Sequence, residues 1–153
     1  MTAVEHVRDS WAGKPRPAFA QPRLLLYVLL GGAIGTAGRE GLALAMPANG
    51  GVPWSVLIVN LVGAFILGFV LTALASRIPE TPTRRDIRLF VGTGMMGGLT
   101  TYSSLATDTA TLAESRPGLA AAYAVASVIL GLAVAAVGIA VARAAFPGRV
   151  ATS

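Results

Sequence analysis

A run of glycine and hydroxyl residues lies in the middle of a segment that otherwise resembles a membrane-spanning helix. Residues 97–104 read Gly-Gly-Leu-Thr-Thr-Tyr-Ser-Ser. Glycine frees the backbone to leave helical geometry, and hydroxyl side chains can pair with the peptide groups that a break exposes. Lipid offers no hydrogen bonds, so broken backbone at membrane depth is stable only where protein buries it or where it lines a path for water or ions. The run therefore predicts a broken helix beside such a path.

Other polar side chains lie within apolar segments, where they are costly and indicate function. Asn60 is near the centre of one such segment, and its amide can either donate to an anion or hydrogen-bond a neighbouring helix. Tyr123, Ser127 and Gly131 recur every four residues, which predicts a hydroxyl stripe facing the broken helix. Asp108 follows the run and fits a capping or interfacial role.

The composition is that of a membrane protein. Of the 153 residues, 54% are hydrophobic and only 12% are charged, and the mean hydropathy is +0.69. The chain has no cysteine, and its one histidine, His6, lies in a polar tail. No nucleophile is spaced with a base, so we do not expect an enzyme. The basic residues flank apolar segments rather than forming a stripe with aromatic residues, so we do not expect a nucleic-acid partner.

The apolar segments predict an all-α membrane protein with four transmembrane helices and no soluble domain. Spanning the hydrocarbon core takes roughly 20 helical residues, and residues 24–44, 54–75, 87–110 and 119–145 are long enough. We expect the third helix to be broken at residues 97–103. Residues 1–23 are predicted to be a disordered cytoplasmic tail, 24–146 the membrane domain and 147–153 a short tail. Small residues spaced four apart predict close helix packing at three pairs: Gly31 and Gly35, Ala64 and Gly68, and Gly94 and Gly98.

Basic residues are distributed unevenly about these spans. Ten of the twelve lie in the N-terminal tail, in the loop after the second span or near the C-terminus, whereas Arg39 and Arg116 lie on the other side. This bias predicts a multi-pass protein of the plasma membrane with both termini in the cytoplasm. Because four spans enclose little interior, we expect the working unit to be a dimer or larger.

Four stretches together resemble the small fluoride channels of the Fluc or CrcB family. They are the glycine-rich residues 31–39 ending in arginine, residues 59–68 around Asn60, residues 97–104, and the pair Tyr123 and Ser127. The resemblance covers residues 24–141 in the family's order. It implies an antiparallel dimer of four-span subunits in the membrane lipid, with two narrow fluoride pores and a structural sodium ion between the broken helices.

The resemblance also implies roles for individual residues. Gly97 and Thr100 supply backbone carbonyls to sodium, and Arg39, Thr101, Ser103 and Asp108 take structural or vestibule positions. The expected pore-lining residues are Asn60, Tyr102, Leu105, Tyr123 and Ser127. Amides, hydroxyls and aromatic ring edges can replace the water around fluoride without a fixed charge that would trap it.

This chain departs from the family pattern at four positions. Tyr102 and Leu105 stand where phenylalanines are usual, Val56 replaces a threonine, and Ala64 replaces a serine. Leucine has no positive ring edge, so we expect at least one pore lined by this subunit to be impaired. Together with the charge bias, this leads to the hypothesis of a heterodimer with an oppositely oriented paralogue. A functional homodimer is the alternative.

Two other functions fit a small four-span protein. A proton-coupled exporter needs a carboxylate deep in the first span, whereas Glu40 lies near the end of that span beside Arg39. A non-conducting membrane scaffold is compatible with Leu105 and Val56.

Overall fold

The computed structural model describes residues 20–46, 51–75 and 80–147. Within these ranges the chain is helical and contains no strand. The predicted tails fall almost entirely outside the described residues. The helical elements are α1 (Pro22–Ala45), α2 (Trp54–Ala75), α3 (Pro82–Ile87), a π-helix (Arg88–Met95), α4 (Met96–Leu99), α5 (Tyr102–Ser115) and α6 (Pro117–Ala145).

Local sequence explains where several of these helices begin. Pro22, Pro82 and Pro117 lie in the first turns of α1, α3 and α6, where the missing N–H of proline has no helical partner to lose. Thr81 caps α3, because its side chain accepts a hydrogen bond from the N–H of Arg84 at 3.4 Å. The predicted first, second and fourth helices are therefore confirmed to within a few residues, whereas the third is divided into several elements.

Helix α1 packs against the π-helix and α4 through glycines. A Cβ atom at Gly31 would overlap the carbonyl of Phe90, and one at Gly35 would overlap the carbonyl of Met95. From the other side, a Cβ at Gly98 would overlap the carbonyl of Gly32. Here the backbones approach so closely that no larger residue fits, as expected for helices packed in lipid.

Helix α2 packs along α6 in the same way. A Cβ at Gly68 would overlap the carbonyl of Ala135, and one at Gly138 would overlap that of Phe65. The small-residue pairs predicted to bring helices together are confirmed, with Gly68 making the contact in its pair.

The outer surfaces of the helices are apolar. Helices α2 and α6 are long and apolar enough to cross a membrane. Large side chains on α1 and α6 stay exposed, including Leu29 at 69% and Leu132 at 73%. A surface of this kind is covered by lipid rather than by water, as expected of a membrane protein.

Two ion pairs join elements at one end of the bundle. Arg23, at the start of α1, donates to Asp86 of α3 at 2.6 Å, and Arg88 donates to Glu80 at 2.9 Å. The start of α1 and the segment after α2 therefore meet at the same end, as the distribution of basic residues predicts.

Candidate functional site

The third predicted span is interrupted by two residues in extended conformation. Helix α4 ends at Leu99 and α5 begins at Tyr102, with φ/ψ of −80°/150° at Thr100 and −149°/119° at Thr101. The break is therefore confirmed, but the predicted limits of 97–103 are too wide. Gly97 and Gly98 both remain helical. The absence of a side chain at Gly98 allows α4 to pack closely against α1. The two β-branched threonines supply the extended backbone.

A π-helix precedes the break, and sequence reasoning missed it. At its end the N–H of Met96 donates to the carbonyl of Val91, five residues earlier. Its Gly92 and Gly94 are buried, and a Cβ at Gly94 would overlap the carbonyl of Val28. Such wide turns concentrate at functional sites, and the glycines were the only sequence signal for it.

Asn60 joins α2 to the break by two reciprocal hydrogen bonds. Its Nδ2 donates to the carbonyl of Thr101 at 3.1 Å, and the N–H of Thr101 donates to its Oδ1 at 2.8 Å. Two residues of an antiparallel sheet pair in the same way. The sequence left open whether the Asn60 amide donates to an anion or hydrogen-bonds a neighbouring helix. In the structure it pairs with the backbone at the break in the third span. The second N–H of its amide has no partner in the described part of the chain, so it is free to donate.

The hydroxyl of Thr101 closes the start of α5. Its Oγ1 accepts from the N–H of Ser104 at 3.1 Å and donates to the Ser104 hydroxyl at 3.1 Å. The Ser103 hydroxyl lies at 3.1 Å from the same oxygen. Thr101 is only 7% exposed, and its N–H, carbonyl and hydroxyl all have protein partners.

The other side of the break is open. The carbonyls of Gly97 and Thr100 accept no hydrogen bond from residues 20–46, 51–75 or 80–147, because the Thr101 N–H that would close the helical bond to Gly97 goes to Asn60. Gly97 is exposed, and a Cβ there would meet nothing within 4 Å. Tyr102 is 82% exposed. Neutral carbonyl oxygens are suitable ligands for a hard cation such as sodium, so this pair fits the expected ion.

Tyr123, which lies on the hydroxyl stripe of α6, packs in a buried cluster with Leu112 of α5. Tyr123 donates from its hydroxyl to the carbonyl of Pro53 at 3.3 Å, and Ser127 donates to the carbonyl of Tyr123 at 2.7 Å. Leu105 packs on a buried cluster formed by Leu112, Ala120 and Tyr123. Both hydroxyls must turn from these carbonyls to donate to an anion, and their place in a pore stays a prediction.

Asp108 and Arg39 are the other two residues predicted to take structural or vestibule positions. Asp108 lines a shallow cavity of about 280 Å³ with Gly51, Pro53, Thr111, Leu112 and Ser115. Arg39 is half-buried near the end of α1, beside the exposed Glu40. Their vestibule roles also stay predictions.

Comparison with known proteins agrees with the resemblance found in the motifs. Residues 26–139 match the family described as CrcB-like protein, Camphor Resistance (CrcB). The chain is 42% identical over 125 residues to the fluoride-specific ion channel FluC 2 of Leifsonia xyli subsp. xyli, covering 81% of this chain and 86% of that protein. It is 45% identical over 112 residues to FluC 1 of Mycobacterium tuberculosis, covering 72% and 83%.

A third relative aligns over nearly its whole length. The fluoride-specific ion channel FluC of Methanopyrus kandleri is 35% identical over 127 residues, which is 83% of this chain and 95% of that protein. The broken third helix and the Asn60 contact both lie within the matched residues. This chain therefore belongs to the CrcB family.

Proposed function

We propose that this chain is a subunit of a fluoride-specific ion channel that lets fluoride leave the cytoplasm passively and lowers its toxicity. The observation that carries the proposal is the broken third helix, in which Asn60 satisfies one side and the carbonyls of Gly97 and Thr100 are left free on the other. Relatives that share 35–46% of the aligned residues are named as fluoride channels, and none of the names describes an enzyme.

The working unit is an antiparallel dimer of four-span subunits in the plasma membrane, with both termini of this chain in the cytoplasm. The exposed side of the break supports an assembly, because the free carbonyls and the exposed hydroxyl of Tyr102 would find no partners in lipid. A second subunit against this face removes that cost.

A sodium ion is held between the two broken helices by the carbonyls of Gly97 and Thr100. Their lack of hydrogen-bond donors within the described ranges supports this assignment. When bound, the ion supplies a positive charge that lowers the cost of a nearby anion and ties the two helices together.

Fluoride passes along donors that carry no full charge. The remaining N–H of Asn60, the ring edge of Tyr102 and the hydroxyls of Tyr123 and Ser127 form the path. Each replaces part of the water that fluoride loses, and none binds it as tightly as a lysine or arginine would.

The partner is an oppositely oriented paralogue rather than a second copy. Ten of the twelve basic residues favour one orientation of this chain, and Leu105 packs into an apolar cluster instead of presenting a ring edge. The partner supplies the missing aromatic residue.

A proton-coupled exporter is not supported. The carboxylate of Glu40 is exposed near the end of α1, and family membership favours the channel.

The test is fluoride efflux from sodium-loaded vesicles, followed with a fluoride electrode. We expect flux when this chain is reconstituted with an oppositely oriented paralogue and little flux from this chain alone. Strong flux from the chain alone would replace the heterodimer with a homodimer. No flux in either case would make the chain a non-conducting scaffold and would contradict the channel. Chloride efflux from the same vesicles controls for leakage.

A further inference from the structure

We propose that Asn60 is a positioning residue for the sodium-binding carbonyl of Thr100. It acts through the peptide bond that joins Thr100 to Thr101. The inference rests on the sodium site proposed above and adds a role for Asn60 that requires no contact with fluoride.

Asn60 acts through the geometry of one peptide group. The N–H of Thr101 and the carbonyl of Thr100 belong to the same planar unit, and in a trans peptide they point in opposite directions. Because Asn60 Oδ1 holds the N–H at 2.8 Å, the Thr100 carbonyl is directed away from α2. That direction leads to the side of the break where the carbonyl accepts no hydrogen bond from the described residues.

The second hydrogen bond limits rotation about the backbone of Thr101. A single bond to the N–H would leave this peptide unit free to swing, but Asn60 Nδ2 also holds the Thr101 carbonyl, which belongs to the next peptide unit, at 3.1 Å. The extended conformation of Thr101 places its own N–H and carbonyl on the same side. A carboxamide offers one donor and one acceptor side by side, which is what this pairing requires.

Packing and hydrogen bonds hold Thr100 in place. A Cβ at Gly63, almost one turn after Asn60 on α2, would overlap Cγ2 of Thr100. The N–H and the hydroxyl of Thr100 both donate to the carbonyl of Met96, at 2.9 and 2.8 Å. The residue is therefore held by its side chain and its N–H while its carbonyl stays free.

The chemical consequence concerns the strength of the carbonyl as a ligand. A hydrogen bond to the N–H of a peptide polarises the group and increases the negative charge on its oxygen. Losing a partner that orients a metal ligand typically costs 10–100-fold in metal affinity. Asn60 therefore couples the fluoride path to the sodium site.

The experiment measures sodium binding directly, without fluoride flux. The purified full-length assembly is equilibrated with radioactive sodium over a range of free concentrations, with N-methylglucamine keeping the ionic strength constant. For Asn60→Ala we expect the concentration of half-maximal binding to rise about tenfold or more. The matched control is Ser55→Ala, which removes a polar group from α2 away from the break and should leave binding within about twofold of the unchanged chain.

A second variant tests the same step without altering Asn60. Gly63→Ala places a methyl group against Thr100, so it should also weaken sodium binding. Unchanged binding in folded Asn60→Ala, or in folded Gly63→Ala if Asn60→Ala does not fold, would overturn the inference and leave the sodium site intact. If the unchanged chain binds no sodium, the sodium site itself fails and the inference fails with it. Fluoride efflux, recorded separately, reports on the channel.

Discussion

The two sides of the break in the third helix differ in how completely the subunit satisfies them. On the side facing α2, Asn60 pairs with both backbone groups of Thr101, and Gly63 leaves room for Thr100. On the opposite side, the carbonyls of Gly97 and Thr100 have no donor within the described ranges. The subunit therefore stabilises half of the break with its own side chains and leaves the other half for an ion and a second subunit.

This difference separates two kinds of substitution. Changes on the α2 side or at the contact with α1 should lower the stability of the subunit, whether or not they also alter ion binding. Changes on the open side should alter assembly or ion binding and leave the subunit folded. The four predictions below test that distinction.

The largest effect is expected for Asn60→Asp. The carboxylate still accepts from the Thr101 N–H, but its second oxygen faces the Thr101 carbonyl and repels it. A fixed negative charge in the path repels fluoride, so fluoride efflux from the conducting assembly should fall roughly 100-fold, equivalent to about 2.7 kcal/mol. Vesicles holding equal amounts of folded protein provide the measurement. Undiminished efflux would remove Asn60 from the path.

Adjacent glycines provide a matched pair. Gly98→Ala forces a methyl group into the Gly32 backbone and to 3.0 Å from the Thr36 nitrogen, which should cost about 2 kcal/mol and lower the thermal unfolding midpoint. Gly97→Ala meets nothing within 4 Å in the subunit, so it should leave that midpoint unchanged and reduce chemical crosslinking between subunits. If both substitutions lowered the unfolding midpoint equally, the two glycines would not differ in how tightly the subunit packs around them.

Leu105→Phe tests whether the aromatic ring is what this subunit lacks. A ring edge at this position should raise the fluoride efflux of the chain reconstituted alone by about threefold, a gain of under about 1 kcal/mol. Leu105→Met is the control, since it keeps the volume but has no positive edge. A similar gain from methionine would mean that packing against Tyr123, and not ring chemistry, limits the flux.

The smaller of the two expected effects on stability is at the cap of α5. Thr101→Val removes the oxygen that accepts from the Ser104 N–H, and losing such a cap costs about 1 kcal/mol. Thr101→Ser keeps the oxygen and should retain most of the stability. Thermal unfolding in detergent compares the two, and identical midpoints would show that the hydroxyl does not stabilise the start of α5.

Much of the fold could be predicted because it depends on local pattern. Long apolar stretches and prolines at first turns determine α1, α2 and α6, and glycine spacing predicts their close contacts. The π-helix could not be predicted, since no local pattern distinguishes residues 88–95 from an ordinary α-helical segment. The limits of the break were misplaced for the same reason, because the sequence does not reveal that Gly98 serves packing.

The site was predicted only as a set of residue types. The sequence indicated that Asn60 and the threonines belong at membrane depth, but it left two roles open for the amide. Only the assembled helices reveal the pairing with Thr101, because it joins residues 41 positions apart in the chain.

The sequence alone determined that this is a membrane protein with a broken third helix, because hydropathy, glycine and hydroxyl content act over short distances. The tertiary structure alone decided which side of the break is closed and which is open. That choice depends on the direction of single peptide groups, and those directions follow from contacts between α2 and the break that no local pattern encodes.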